Sequence, residues 1–309
     1  MKDAVRVVEV GARDGLQNEA AHVPAAVKLE LIERLAAAGL RTIEATSFVS
    51  PRWVPQMADA PEVLARLPRR PGVRYPVLVP NLQGLERAIQ AGAREIAVFT
   101  AASDAFNRRN INCDVAGSLA RLQPVVAQAR ARGLWVRGYV STALGCPYQG
   151  VVAVAEVVRV AARLAEMGCE EISLGDTIGV GTPRAARDML RAVAEAVPMA
   201  HLAVHFHDTR GQALANVYAC LEEGCRIVDA SVAGLGGCPY AAGASGNLAS
   251  EDLVYMLQGL GCETGIDLEA LAAVARWINA RLHRSPVSRL ARLPPGKIFL
   301  NPRGERHGA

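Results

Sequence analysis

The sequence predicts an α/β chain folded as a (β/α)8 TIM barrel with a short C-terminal helical extension, and three observations carry that prediction. Eight short β-rich runs alternate with Ala/Leu/Arg-rich stretches of helical period, the pattern of parallel strands joined by crossover helices. Polar residues gather just after the C-terminal end of each run, where such a barrel opens its mouth. The competing architecture, an open doubly wound sheet, usually announces a nucleotide with GxGxxG after its first strand. That place here holds Gly11-Ala12-Arg13-Asp14-Gly15, and Gly234-Leu235-Gly236-Gly237 meets Pro239 where the last glycine should stand.

Strand 1 is expected at Val5–Val10 and leads into Arg13 and Asp14. A helix near Ala25–Ala38 closes on Gly39, and strand 2 at Thr42–Ala45 carries Glu44, with Ser47 beyond it. Strand 3 (Tyr75–Val79) ends near Asn81, before a helix at Leu82–Ala91 that closes on Gly92. Strand 4 is expected at Glu95–Phe99, followed by a helix at Val115–Ala131. Strand 5 (Trp135–Tyr139) delivers Ser141 and Thr142, and a helix spans Val151–Met167. Strand 6 (Glu171–Leu174) leads to Asp176 and Thr177, before a helix at Arg184–Ala196. Strand 7 (Leu202–Phe206) presents His205 and His207, before a helix at Gln212–Glu223. Strand 8 (Ile227–Val232) opens a glycine-rich loop that runs to Asn247, before a helix at Ser250–Gly259. Glycine after Ala38, Ala91, Met167 and Glu223 is the usual helix stop. Residues 1–265 are therefore expected to form the barrel, as a catalytic domain, and residues 266–309, with a helix at Leu268–Arg281 and a Pro/Arg-rich tail, to pack on it.

Composition excludes several functions. The 34 basic residues are spread along the chain, the net charge is only +4 and 5% of residues are aromatic, so no basic, aromatic-laced surface for nucleic acid is expected. No apolar run reaches the roughly 18–20 residues that span a bilayer. The N-terminus lacks the apolar stretch of a secretory signal and the Arg/Ser-rich stretch of an organellar one, so a cytosolic location is expected. Seven scattered cysteines without a CxxC pair read as small buried hydrophobes in a reducing compartment; Cys238, in the glycine-rich loop, stands apart.

Side chains at i and i+2 of a strand share a face, so His205 and His207 project into one space. Such a pair either ligates a metal or is buried and hydrogen-bonded. Asp14, His205, His207 and Asn247 together offer two oxygens and two nitrogens, a set that suits six-coordinate Mg2+ or Mn2+ better than a closed zinc site. Taken singly, Asp14 is equally a turn residue, and Asn247 reads as a helix N-cap before Leu248-Ala249. Arg13 is either a salt bridge closing the barrel or a fixed cation for charge developing on an enolate oxygen. Cys238 is either an ordinary loop cysteine or an acid–base group in a mobile lid.

These residues sit in longer stretches that resemble the hydroxymethylglutaryl-CoA lyases. The stretches are Arg13-Asp14-Gly15-Leu16-Gln17-Asn18-Glu19, Thr46-Ser47-Phe48-Val49-Ser50-Pro51, Trp53-Val54-Pro55-Gln56-Met57, Arg109-Asn110-Ile111-Asn112-Cys113, Ser173-Leu174-Gly175-Asp176-Thr177-Ile178-Gly179 and His205-Phe206-His207-Asp208-Thr209. The most specific is Ser231-Val232-Ala233-Gly234-Leu235-Gly236-Gly237-Cys238-Pro239-Tyr240 with Gly243-Ala244-Ser245-Gly246-Asn247. The resemblance implies cleavage of 3-hydroxy-3-methylglutaryl-CoA to acetyl-CoA and acetoacetate in leucine breakdown. It assigns the divalent cation to Asp14, His205, His207 and Asn247, enolate stabilisation to Arg13, and proton transfer to Cys238 and His205. Glu44 and Asp176 then support the site, Arg13, Asn110 and Ser173 contact the acyl-CoA substrate, and the enzyme is a homodimer. Two positions depart from the family pattern: Phe206, where many relatives carry cysteine, and Arg210, where the animal lyases carry tyrosine. The tail also lacks the terminal Cys-Lys-Leu and the subunit-linking cysteine of animal forms. A lyase for a related ester such as citramalyl-CoA would use the same site, whereas a condensing synthase would need a further C-terminal domain.

Overall fold

The computed structural model describes residues 3–236 and 246–298, so Cys238 and the end of the tail lie outside the described residues. Nine hydrogen-bonded segments form one parallel sheet: β1 (Arg6–Glu9), β2 (Thr42–Ile43), β3 (Thr46–Ser47), β4 (Val77–Leu78), β5 (Glu95–Ala101), β6 (Trp135–Ser141), β7 (Glu171–Asp176), β8 (Leu202–Phe206) and β9 (Ile227–Ala230). Their order is β2-β1-β9-β8-β7-β6-β5-β4-β3. The two ends of that order are two halves of one chain segment, residues 42–47. β2 pairs with β1 and β3 pairs with β4, so the sheet closes on itself as an eight-stranded barrel. Residues 42–47 bond to both neighbours in alternation: Ile43 N donates to Arg74 O at 3.0 Å, Glu44 N to Glu9 O at 2.8 Å, and Ala45 N to Pro76 O at 2.9 Å.

Ten helices are described: α1 (Ala25–Ala37), α2 (Ala60–Arg66), α3 (Leu82–Gln90), α4 (Asp104–Ile111), α5 (Val115–Ala131), α6 (Val154–Glu166), α7 (Pro183–Ala194), α8 (Ala213–Glu222), α9 (Ser250–Gly259) and α10 (Leu268–Arg281). Two of them, α2 and α4, were not expected from apolar periodicity. Helix α4 is mostly polar and is set by its ends: Ser103 Oγ accepts from Phe106 N at 3.1 Å, and Asn112 stops it with φ +54°. That αL stop is one asparagine tolerates. Strand β4 is shorter than expected because Pro76 and Pro80 bracket it and cannot donate to the ladder. Strands β5, β6 and β7 each run two residues further than expected, which carries Ser141 and Asp176 to the strand ends. Among the described residues no helix is long and apolar enough to cross a membrane.

Apolar side chains pack between the sheet and the helices, and α10 lies against α1 and α9. Asp252 of α9 ties the following segment down, accepting from Leu290 N at 2.9 Å and Arg289 N at 3.0 Å. The barrel interior is different, because Arg137, Glu171 and Asp229 replace part of the usual branched aliphatic filling. On the opposite, helix-facing side of β1, Glu9 is also fully buried; its Oε1 accepts from Gly11 N and Val232 N, both at 2.8 Å, and its Oε2 from Ser250 Oγ. It thereby staples the turn after β1 to both ends of the loop after β9.

Burial pushes the Glu9 carboxyl up to about 7, against those hydrogen bonds. A raised carboxyl keeps its proton in the folded state where the unfolded chain has released it, so this group lowers stability as pH climbs from about 4.5 to about 7. Glu9→Gln keeps the oxygen that takes both amides. It is expected to be more stable than the parent by about 1 kcal/mol or more at pH 8 and equal to it near pH 5. Urea unfolding at both pH values checks this, and an equal difference at both would rule out Glu9 titration.

Candidate active site

Strand β1 runs into a buried five-residue turn, Gly11–Gly15, of π-helical geometry. The turn sets Arg13 and Asp14 side by side at the barrel mouth. Arg13 donates through Nε to Glu44 Oε2 and through Nη1 to Asp14 Oδ1, both at 2.7 Å, and lies 5.6 Å from the Tyr139 ring centre. Burial opposes its charge, but Glu44 and Asp14 outweigh that and raise its pKa further. Asp14, which burial alone would raise, is held down at about 2 by Arg13 and the two histidines.

His205 is the penultimate residue of β8 and His207 follows the strand's end, with ring centres 5.5 Å apart. Asp14, His205 and His207 each offer a ligand atom within 4.8 Å of the others. Asn247 joins them by backbone pairing rather than as a helix cap. It forms an antiparallel bridge with His207, flanked by Leu248 N donating to Phe206 O at 3.1 Å and Asp208 N to Gly246 O at 3.0 Å. The N-cap of α9 is Ala249 instead. Close approach demands glycine on both sides of this bridge. A Cβ on Gly236 (φ +100°) would fall 2.7 Å from Asn247 Nδ2, and one on Gly246 (φ +89°) 1.6 Å from Gly236 O. The Asn247 amide donates to Asp14 Oδ2 at 2.9 Å and to Leu235 O at 3.0 Å.

Two buried lone-pair atoms, His207 Nδ1 and Asn247 Oδ1, have no hydrogen-bond partner among the described residues. Orphaned acceptors beside a carboxylate and a second imidazole fit a divalent cation, which their lone pairs would satisfy. Burial and the neighbouring His205 push His207 down to about 4 despite Asp14, so it is the neutral, ligating form at ordinary pH. His205 is shifted the other way: burial lowers it, but Asp229 and Asp14 prevail and raise it.

Arg13, Asp14, His205 and His207 line one wall of a cavity of about 790 Å3 that opens at the mouth, with Asn110, in the last turn of α4, on its rim. Glu44 lies behind Arg13, fully buried. Asp176 sits at the end of β7 with its carboxylate turned to backbone, accepting from Gly181 N at 2.8 Å and Val180 N at 3.1 Å. Ser173 is fully buried, and its hydroxyl donates to Asp229 Oδ2 at 2.9 Å rather than facing the cavity. Phe206 points away from the two histidines into the core. Arg210 donates to Ile178 O and Gly179 O, both at 3.0 Å, so it ties the loop after β8 to the loop after β7. Three site residues escaped sequence reasoning: Tyr139, Arg137 and Asp229. Arg137 and Asp229 carried a signal, a charge embedded in an apolar parallel strand, Asp229 between Val228 and Ala230 and Arg137 after Val136, where buried strands are ordinarily continuous hydrophobic runs; Tyr139, an ordinary strand residue, carried none.

The chain is similar to known proteins along most of its length. Residues 4–278 match the HMGL-like family, and the mitochondrial hydroxymethylglutaryl-CoA lyase of Rattus norvegicus is 58% identical over 287 residues, 93% of this chain and 88% of its own length. The chain belongs to the HMGL-like family. Among solved structures of HMG-CoA lyases, that from Pseudomonas aeruginosa is 56% identical with a TM-score of 0.92, covering 94% of this chain and 97% of its own. One from Acinetobacter baumannii, solved with coenzyme A and 3-methylmalate, is 38% identical with a TM-score of 0.91, covering 96% of this HMGL-like chain and 97% of its own.

Proposed function

We infer that this HMGL-like chain is a carbon–carbon lyase that cleaves 3-hydroxy-3-methylglutaryl-CoA to acetyl-CoA and acetoacetate. The observation that carries the reading is the Arg13 guanidinium, locked between Glu44 and Asp14 on the same cavity wall as the Asp14, His205 and His207 donors. In a retro-Claisen cleavage the tertiary hydroxyl loses its proton and that carbon becomes a ketone. The broken carbon–carbon bond leaves its electron pair on the thioester enolate, which a proton then quenches at carbon. Arg13 meets the negative charge on the enolate oxygen with a preorganised cation. His205, wedged between the cavity and Asp229, is assigned the hydroxyl proton, which its Nε2 accepts while that nitrogen is off the cation. Cys238 is assigned the return of a proton to carbon, and Asn110 a contact with the acyl-CoA. Asp14, His205, His207 and Asn247 would hold Mg2+ or Mn2+, which when bound supplies the positive charge that orients the substrate's hydroxyl and carboxylate oxygens and acidifies the hydroxyl.

A second reading, cleavage of a related branched ester such as citramalyl-CoA, is kept because the A. baumannii lyase structure contains 3-methylmalate, a shorter diacid than hydroxymethylglutarate. Chelator-stripped protein, assayed with each ester with and without Mg2+ or Mn2+, tests both readings. Cation-restored release of acetyl-CoA and acetoacetate is expected from hydroxymethylglutaryl-CoA. Cleavage of citramalyl-CoA alone moves the specificity, and inertness toward both esters defeats the lyase reading. His207→Ala should raise the Mn2+ concentration needed for half-maximal rate by at least about 10-fold, the lower end of the cost of disturbing a metal site's outer shell. An unchanged Mn2+ requirement in that variant would remove His207 from the ligand set.

A further inference from the structure

Behind the cavity wall lies a polar cluster to which none of the roles above is attached. Asp229 is fully buried at the centre of β9, in register with His205 on β8. Every group around its carboxylate is a donor. Arg137 Nη2 reaches Oδ1 at 2.6 Å, while Arg137 Nη1 at 3.1 Å and Ser173 Oγ at 2.9 Å reach Oδ2. The remaining neighbour of Oδ2 is His205 Nδ1, at 3.2 Å. A carboxylate clamped by a two-pronged guanidinium is ionised and can only accept, so His205 Nδ1 must carry the hydrogen. The neutral ring then has its lone pair on Nε2, the nitrogen left for a cation shared with Asp14 and His207. Tyr139 stands edge-on to the ring, 6.2 Å away and at 83°, and its hydroxyl is itself held by Arg137 Nη1 at 2.9 Å. Ring orientation and tautomer are thus both set from Arg137.

We propose that Asp229, clamped by Arg137 and Ser173, is a positioning residue that fixes His205 as the Nδ1–H tautomer with Nε2 presented to the cavity. Its effect on cation binding and turnover rests on the reading of the site given above; its geometric content does not. In an Asp–His pair, exchanging the carboxylate for an amide lets the amide N–H donate to Nδ1 and moves the ring proton to Nε2, where it blocks both ligation and proton uptake.

Two measurements test this. First, the imidazole nitrogens of the 15N-histidine-labelled wild-type protein are assigned by NMR at alkaline pH in the presence of Mg2+, with His205 identified by its loss in His205→Gln. Hydrogen on Nδ1 of His205 is expected, and hydrogen on Nε2 overturns the proposal whether or not Asp229→Asn folds. Second, Mn2+ binding is titrated calorimetrically in wild type, Asp229→Asn and Glu171→Gln. Glu171 pairs with the opposite side of Arg137, at 2.8 Å from Nε, so it controls for the loss of a buried charge. Asp229→Asn is expected to weaken Mn2+ binding about 10- to 100-fold and to lower kcat more than it changes KM, whereas Glu171→Gln keeps Mn2+ affinity within about threefold. Equal losses in both variants, or wild-type affinity in Asp229→Asn, overturn it. If wild-type protein takes up no Mn2+, the cation site itself fails, while the imidazole spectrum still decides the role of Asp229.

Discussion

Arg13→Gln is expected to lower kcat by at least about 10²-fold, the scale for removing one preorganised group that stabilises an oxyanion. Glutamine fills part of the same space and can still hydrogen-bond, so the change chiefly removes positive charge. The charge matters here because the guanidinium is buried and already fixed by two carboxylates, and no reorganisation is needed when the enolate forms. The substitution also strands Glu44, whose carboxyl burial raises and Arg13 lowers, so a drop in melting temperature should accompany the lost rate. Arg13→Lys separates the two contributions. It restores a cation without the planar fork that spans Glu44 and Asp14, and should recover stability better than turnover. Near-normal kcat in a folded Arg13→Gln protein would remove Arg13 from the chemistry and leave it as a barrel-closing ion pair.

Much of this site was legible because it obeys local periodicities. The two-residue period of a strand places His205 and His207 on one face and turns Phe206 to the other. The placement of chemistry at strand ends followed from parallel topology alone. What escaped depends on register between distant segments. Arg137 and Asp229 are 92 residues apart, and only the parallel stacking of β6 through β9 brings their inward faces together. Asn247 illustrates the same point: its local sequence suits a helix cap, yet its backbone pairs with His207, a contact no neighbouring residue announces. Ser173 matched a family stretch and was expected at the substrate, but its position one layer inside the barrel turns its hydroxyl to Asp229. Helix α4 was missed because it has no apolar stripe, even though Ser103 and Asn112 were there to start and stop it. Period was readable, then, and long-range pairing was not.

The largest effect on stability should come from Arg137→Met. Arg137 is the largest fully buried side chain among the described residues. Its charge is shared between Asp229, at 2.6 Å, and Glu171, at 2.8 Å. Methionine approximates the aliphatic stem but removes the one cation that two buried carboxylates shared, with Arg6 still on Glu171. Breaking a buried pair by removing one member costs about 3–5 kcal/mol, or roughly 10 °C in melting temperature for a chain of this size. The pH dependence identifies the cause. In the parent, burial would raise Asp229, but Arg137 and His205 hold it at about 2, below its ordinary value of 3.8. A depressed carboxyl stabilises the fold above its unfolded pKa and loses that contribution as pH falls toward the folded one. Without Arg137 burial dominates, the carboxyl rises, and the penalty falls on the neutral-pH side. The difference between parent and variant should therefore be widest near pH 7 and narrow as pH drops through about 4. Adding Asp229→Asn to Arg137→Met should recover part of the loss, because an unpaired buried charge costs more than a missing pair. A single variant within about 1 kcal/mol of the parent, or a double variant worse than the single, would mean that water or a relaxed Arg6 reaches Asp229. The carboxylate would then be free to move, and the clamp that holds His205 in place could not depend on Arg137.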